Sequence, residues 1–252
     1  MQVWIAVAAL AAGGVGATTS RVAYRLSVPS GEPARNSCTQ CGLIFRSGLA
    51  GWISARPRCC GCGHPQGPSP WVLVIAAVTT TAALAWGLPA HRFSQDALLA
   101  SWILLGLSGI LLSTIDIAVY RLPTPIIWRT GAGLVALLTT AAAASRRPSL
   151  LFDAAIASAA LGGVYFLLAL LSPRVIGLGD VRLSALLGLA LGPLGWRCVV
   201  LATVLPYLVA SPLAGAQIVR GRLAPGDSIP FGPFLLAGAL ATAVLSRVMR
   251  TH

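Results

Sequence analysis

A chain of 252 residues with 56% hydrophobic and only 10% charged residues, and a mean hydropathy of +0.82, falls outside the range of soluble globular domains. Its formal net charge of +12 rests on 18 arginines without a lysine. These arginines sit in short segments between apolar runs, with no aromatic interleaving, which argues against a nucleic-acid surface and for the basic bias of cytoplasmic membrane loops.

The apolar runs approach the roughly 17 to 25 residues that a helix needs to cross a hydrocarbon core. Spans are predicted at 2–20, 71–90, 97–115, 126–144, 151–172, 181–194, 196–219 and 231–245. The expected fold is an all-α polytopic membrane protein of about eight transmembrane helices. A first span (1–20), a cysteine-rich loop (21–70) and a membrane core (71–252) are its three regions. The first span has the small residues that a signal peptidase accepts, but no basic start, and Arg21 and Arg25 follow it. This order predicts an uncleaved anchor with its amino terminus outside. The 21–70 loop, the turns at Asp116 and Asp180 and the 220–230 loop then face the cytoplasm. Most arginines fall on that side, Arg35, Arg46, Arg121 and Arg182 among them, against Arg146, Arg147 and Arg197 on the other.

Within the loop, Cys38-x2-Cys41 and Cys59-x2-Cys62 stand seventeen residues apart. Those intervals match a four-thiolate zinc ribbon, in which a tetrahedral ion draws two tight turns together and folds a loop with little core of its own. A pair of disulfides is the alternative were the loop extracellular. Cys60 reads as a spare thiol and Cys198 as a packing residue in an apolar span. His64 is either a substitute ligand or a solvated loop residue.

Only six acids punctuate the chain: Glu32, Asp96, Asp116, Asp153, Asp180 and Asp227. Asp116 closes the third predicted span and Asp180, in Gly177-Leu-Gly-Asp180, opens the sixth. Two crossings lie between them, so both emerge on one face whichever way the chain inserts. An acid at a membrane boundary needs a partner or a wet cavity. Two carboxylates brought together share a proton, one activating a water while the other polarises a carbonyl, which is the chemistry of an aspartic peptidase. Gly177 and Gly179 would admit close approach of an extended peptide or a neighbouring helix. The other reading of Asp180 is that of a helix-start residue before an apolar run. Asp227 reads as a turn residue, Asp96 and Asp153 as solvated acids of the outer side, and Glu32 as a loop residue.

Several segments together resemble the prepilin peptidases, or type IV leader peptidases, which are bacterial membrane aspartic proteases of the Gly-x-Gly-Asp type. They are Arg21-Val-Ala-Tyr-Arg-Leu26, the two Cys-x-x-Cys pairs, Ile115-Asp116 with Arg121-Leu-Pro123, Gly177-Leu-Gly-Asp-Val-Arg182, and Ile229-Pro-Phe-Gly-Pro-Phe234. The resemblance implies that Asp116 and Asp180 are the catalytic pair, supported by Gly177, Gly179, Arg182, Pro230, Gly232 and Pro233. It also implies a multi-pass protein of the bacterial cytoplasmic membrane, surrounded by lipid, that removes a short basic leader from prepilin or pseudopilin precursors on the cytoplasmic side. Members of that family also methylate the new amino terminus with S-adenosylmethionine, an activity associated with the cysteine loop. Here Gly63-His-Pro-Gln-Gly-Pro-Ser-Pro70 replaces the family's aromatic-Pro-Leu-x-Glu entry to the second span, and Thr124 stands after Pro123 where a second acid is often found. Methyl transfer therefore has no residue assigned. The competing readings are a transporter whose aspartates relay protons and a non-enzymatic zinc-loop scaffold of a pilus or secretion assembly.

Overall fold

In lipid an unpaired backbone amide has no water to bond, so apolar runs of this kind fold as helices that satisfy their own N–H and C=O groups. The computed structural model describes residues 2–29, 31–53, 58–87, 93–171, 176–221 and 230–249. Its helices are α1 (Gln2–Leu26), α2 (Leu49–Trp52), α3 (Pro70–Gly87), α4 (Phe93–Val119), α5 (Thr124–Ser145), α6 (Ser149–Leu171), α7 (Leu178–Leu191), α8 (Trp196–Val219) and α9 (Gly232–Met249). Four of them, α4, α5, α6 and α8, are long and apolar enough to cross a membrane, while α3 and α9 contribute shorter apolar helices. Among the described residues there are no strands, only two isolated antiparallel bridges in the cysteine loop.

The break predicted between spans 181–194 and 196–219 is present and centres on Gly192-Pro193. Gly192–Leu194 forms one 3-10 turn, Gly195 takes φ 102°, and α8 begins at Trp196. With fourteen residues, α7 is about 21 Å long, short of the roughly 30 Å hydrocarbon core. The first helix differs from its predicted bounds, running past Ser20 to Leu26.

The extension carries Arg25, which is buried although it is charged. Its guanidinium donates to the carbonyls of Arg35 (2.8 Å) and Gly51 (3.1 Å) and to Asn36 Oδ1 (2.8 Å). It also lies 3.8 Å from the centre of the Trp52 ring. A buried guanidinium is tolerable only with its donors satisfied, and these partners are supplied by the loop itself. Arg25 therefore ties the cysteine loop to the end of α1, beyond the orientation signal that its charge suggests.

In the bundle, α4 packs on α1, α3, α5 and α9, and α7 packs on α5, α6, α8 and α9. Trp102, Leu105, Leu112, Leu134, Leu183 and Leu187 fill the core between them. The α6–α7 pair packs closely, because Gly188 faces the backbone of Ala157 and Gly192 the backbone of Asp153, where a Cβ would collide. Without a hydrophobic force between helices in lipid, small residues of this kind gain their contacts by letting backbones approach. Asp96, Asp153 and Glu32 are exposed, and Cys198 belongs to the apolar core, as its place in an apolar run suggested. Asp227 and Ile229, like Arg174 and Arg222, lie outside the described residues.

Candidate active site and cysteine cluster

Asp116 lies in the last turn of α4, where the Tyr120 N–H bonds to its carbonyl at 2.7 Å. Tyr120 then takes the left-handed conformation (φ 51°), which ends the helix and sends Arg121-Leu-Pro123 back toward α5. The Asp116 side chain is 5% exposed. Its Oδ2 accepts the Gly232 N–H, at the start of α9, at 3.1 Å.

Asp180 is the third residue of α7, and its Oδ2 accepts the Gly177 N–H at 3.3 Å. That is the reciprocal half of a capping box, so the helix-start reading of Asp180 is realised in its local bonding. It does not take the residue out of the site. Asp116 and Asp180 line one cleft of about 380 Å³, together with Tyr120, Arg121, Leu122, Thr124, Gly177, Leu178, Gly179 and Arg182. The two carboxylates lie within electrostatic reach of each other.

The surrounding residues hold this arrangement. A Cβ on Gly179 would stand 3.2 Å from that of Leu122, so the start of α7 packs tightly on the 121–123 connection. Arg182 donates to Thr124 Oγ1 at 3.0 Å across the same cleft. Arg121 donates to the carbonyls of Pro29 (2.7 Å) and Val28 (3.2 Å), linking the cleft rim to the segment after α1. Pro230, Gly232 and Pro233 are not among the cleft-lining residues. Pro233 occupies the first turn of α9, where a missing N–H costs nothing, and Gly232 presents its own N–H to Asp116. Tyr120 and Thr124 were not singled out by sequence reasoning as cleft residues. Their signal was adjacency to Arg121-Leu-Pro123 on the connection between the aspartate helix and the next.

The cysteine loop places its four Sγ atoms within 4.8 Å of one another. Cys38 and Cys62 stand 3.7 Å apart, Cys41 and Cys59 3.6 Å. Four thiolates about 2.3 Å from a central ion are separated by about 3.8 Å along each tetrahedral edge, so these cysteines fit a metal ion. Each pair is presented by the same turn. Cys38 N–H bonds to Leu43 O (2.9 Å) and Gly42 N–H to Cys38 O (3.0 Å), and in the second turn Cys59 N–H bonds to His64 O (2.8 Å) and Gly63 N–H to Cys59 O (2.9 Å). Gly42 (φ 70°) and Gly63 (φ 71°) supply the left-handed residue that each turn requires. Main-chain N–H groups of Cys62 and Gly61 hold the Cys59 thiol down to about 6, and those of Cys41 and Gln40 lower that of Cys38. Such N–H groups favour the thiolate, the form that binds metal, at Cys38 and Cys59, while the neighbouring thiols and burial push Cys41 and Cys62 up. His64 contributes its backbone carbonyl and is not part of the ligand group, and Cys60 is likewise outside it and exposed.

Residues 98–215 match the model of the type IV leader peptidase family. A prepilin leader peptidase/N-methyltransferase of Burkholderia pseudomallei (strain 1026b) is 31% identical over 96% of this chain and 75% of its own length. The chain belongs to the type IV leader peptidase family. Proteins of the same description are similar in Aeromonas hydrophila, 30% identical over 86% of this chain and 72% of the relative, and in Stutzerimonas stutzeri, 28% identical over 87% and 73%. No solved structure matches the chain. The family segment contains both Asp116 and Asp180, and the longer alignments extend beyond it over most of the chain.

Proposed function

We propose that this protein is a membrane aspartic endopeptidase that removes the short basic leader from type IV prepilin or pseudopilin precursors at the cytoplasmic face of the bacterial membrane. The observation that carries this reading is the meeting of Asp116 and Asp180 in one cleft at ends of α4 and α7. They are 64 residues apart in sequence, and the family segment includes both. The relatives described as prepilin leader peptidase/N-methyltransferase support the substrate class.

In the proposed reaction, one carboxylate takes a proton from water as its oxygen attacks the scissile carbonyl. The other, protonated, hydrogen-bonds the carbonyl oxygen and stabilises the charge that develops there. Collapse of the tetrahedral intermediate breaks the C–N bond, and a proton passes to the leaving amine. The leader departs with a new carboxyl terminus and the mature chain keeps its apolar helix in the bilayer. Gly177 and Gly179 keep the cleft edge free of side chains, so that an extended backbone reaches both acids. Arg182, held by Thr124, and the Pro230-Phe-Gly-Pro233 turn, acting through Asp116, keep the pair in place.

The eight-span topology belongs to this proposal. It counts α1 and the short α7 as membrane-inserted and places the cysteine loop, the cleft and the 220–230 loop in the cytoplasm, in line with the arginine distribution. In that reducing compartment the four cysteines hold zinc as a structural ion, which would offset half of their thiolate charge and draw the two turns together. The relatives' description also supports transfer of a methyl group from S-adenosylmethionine to the new amino terminus.

Two measurements test these points. Detergent-solubilised protein incubated with candidate prepilins is expected to yield leader-free chains, read by mass spectrometry of their amino termini, which reports methylation in the same spectrum. Intact precursor after prolonged incubation with every candidate would defeat the peptidase reading. Metal analysis of gently extracted protein is expected to give about one equivalent of zinc, reduced to a small fraction by Cys38→Ser or Cys59→Ser. Less than about half an equivalent in the unmodified protein would exclude a structural zinc site.

A further inference from the structure

In the apolar core, apart from the residues that line the cleft, the bundle holds two tyrosines. Tyr165 on α6 is 0% exposed, and neither its hydroxyl nor the buried hydroxyl of Tyr207 on α8 has a hydrogen-bond partner. Their rings stack with centroids 6.2 Å apart, and Tyr207 meets Phe231 at 5.0 Å. Phe231 directly precedes Gly232, whose N–H holds Asp116. This aromatic row thus runs from α6 through α8 to the turn that positions the first aspartate.

The register of the α6–α7 contact puts Tyr165 at the level of the second. Gly192 faces Asp153, Gly188 faces Ala157, and Gly162 faces Ala185. The helices are antiparallel in a close pairing, and continuing that register places Tyr165 opposite the Asp180–Val181 step. The Tyr165 hydroxyl is within electrostatic reach of Asp180 and faces that of Tyr207. A buried hydroxyl without a partner weakens a fold, whereas an isosteric phenylalanine would not. These two hydroxyls lie beside each other and have no partner beyond the pair, which points to a group engaged during function.

We propose that Tyr165 and Tyr207 are positioning residues for Asp180: when a peptide occupies the cleft, the Tyr165 hydroxyl, held by that of Tyr207, donates to the carboxylate and so fixes which oxygen faces the water. The inference rests on the aspartic peptidase reading above. Among the described residues, the titratable and charged groups that line the cleft with Asp180 are Asp116 from α4, Tyr120 and Arg121 from the connection after it and Arg182 from α7, while Tyr165, beside Tyr207, reaches it from outside that lining. The two tyrosines differ from the others in approaching from the apolar interior, where a hydrogen bond to a charged group is strongest.

The test is the single variants Tyr165→Phe and Tyr207→Phe and their combination, assayed for prepilin cleavage across pH beside the unmodified protein and Asp116→Asn. Each single variant is expected to keep or exceed normal thermal stability while kcat falls about tenfold with KM little changed. Losing a donor to the ionised carboxylate also disfavours that form, so the active pH window should move upward by about one unit. The double variant should lose little more than either single one, because the hydroxyls act on one group. An unchanged kcat and pH profile in both single variants would overturn the inference, as would a loss of stability that accounts for all of the lost activity. Should one variant fail to fold, the other makes the same prediction alone. Cleavage by the unmodified protein with unaffected tyrosine variants defeats this inference only; no cleavage by the unmodified protein defeats the peptidase reading on which it rests.

Discussion

Asp116→Asn and Asp180→Asn are each expected to lower leader cleavage by roughly 10²- to 10⁴-fold, the usual contribution of a positioned acid or base. Both variants should insert and accumulate as the unmodified protein does. Asparagine keeps the shape of the side chain and can still accept the N–H of Gly232 at Asp116 or of Gly177 at Asp180, but it neither takes a proton from water nor holds one over a carbonyl. The double variant should fall no further than the weaker single variant, because a shared-proton pair works as a unit. The measurement is the rate of precursor conversion at matched protein amounts in membranes. Cleavage retained by both single variants would remove the mechanism and favour a scaffold or transporter role for the same fold.

A Gly232→Ala substitution should cost on the order of 10²-fold in kcat, as expected for a catalytic group moved by about an ångström. An added Cβ would stand 2.8 Å from Asp116 Oδ2 and 3.3 Å from its Cγ, with Leu122 Cδ2 at 3.5 Å on another side. Asp116 is buried and bonded to the same backbone N–H. The carboxylate must therefore turn or the start of α9 must shift, and either movement changes its relation to Asp180. Gly163→Ala is the control, since its Cβ would meet nothing within 4 Å, and it should leave activity unchanged. Equal rates in the two alanine variants would show that the Gly232 contact is not needed to place Asp116.

Much of the architecture was written in local pattern. The helix that carries Asp116, the Gly192-Pro193 interruption and the helix that starts at Trp196 all follow from apolar run length and from breakers whose effect is confined to neighbouring residues. The cysteine turns were legible for the same reason, because a Cys-x-x-Cys turn closed by a left-handed glycine is a short-range structure. Parity did the rest for the aspartates: an even number of crossings puts both at one face without any knowledge of how the helices pack.

The departures were long-range. Arg25, read as an orientation charge, is a buried anchor for the loop, because its partners Arg35, Asn36 and Gly51 converge on it only after the loop folds back. Of the two readings of His64, the fold realises the loop residue, since the turn uses its carbonyl to bind Cys59 N–H and the ligand group is four thiols. Arg182 and Thr124 lie 58 residues apart, and nothing in either local sequence announces their hydrogen bond.

By itself, then, the amino-acid sequence determined the apolar helices, the breaks between them, the two cysteine turns and the shared face of the two acids, since each depends on backbone satisfaction, side-chain spacing or the parity of crossings. Tertiary structure alone decided that the acids share one cleft and that a glycine 116 residues away bonds Asp116. Those relations are set by how closely helices approach one another, and that distance depends on small residues meeting across α6 and α7 and between α9 and Asp116, contacts that no spacing within a single helix encodes.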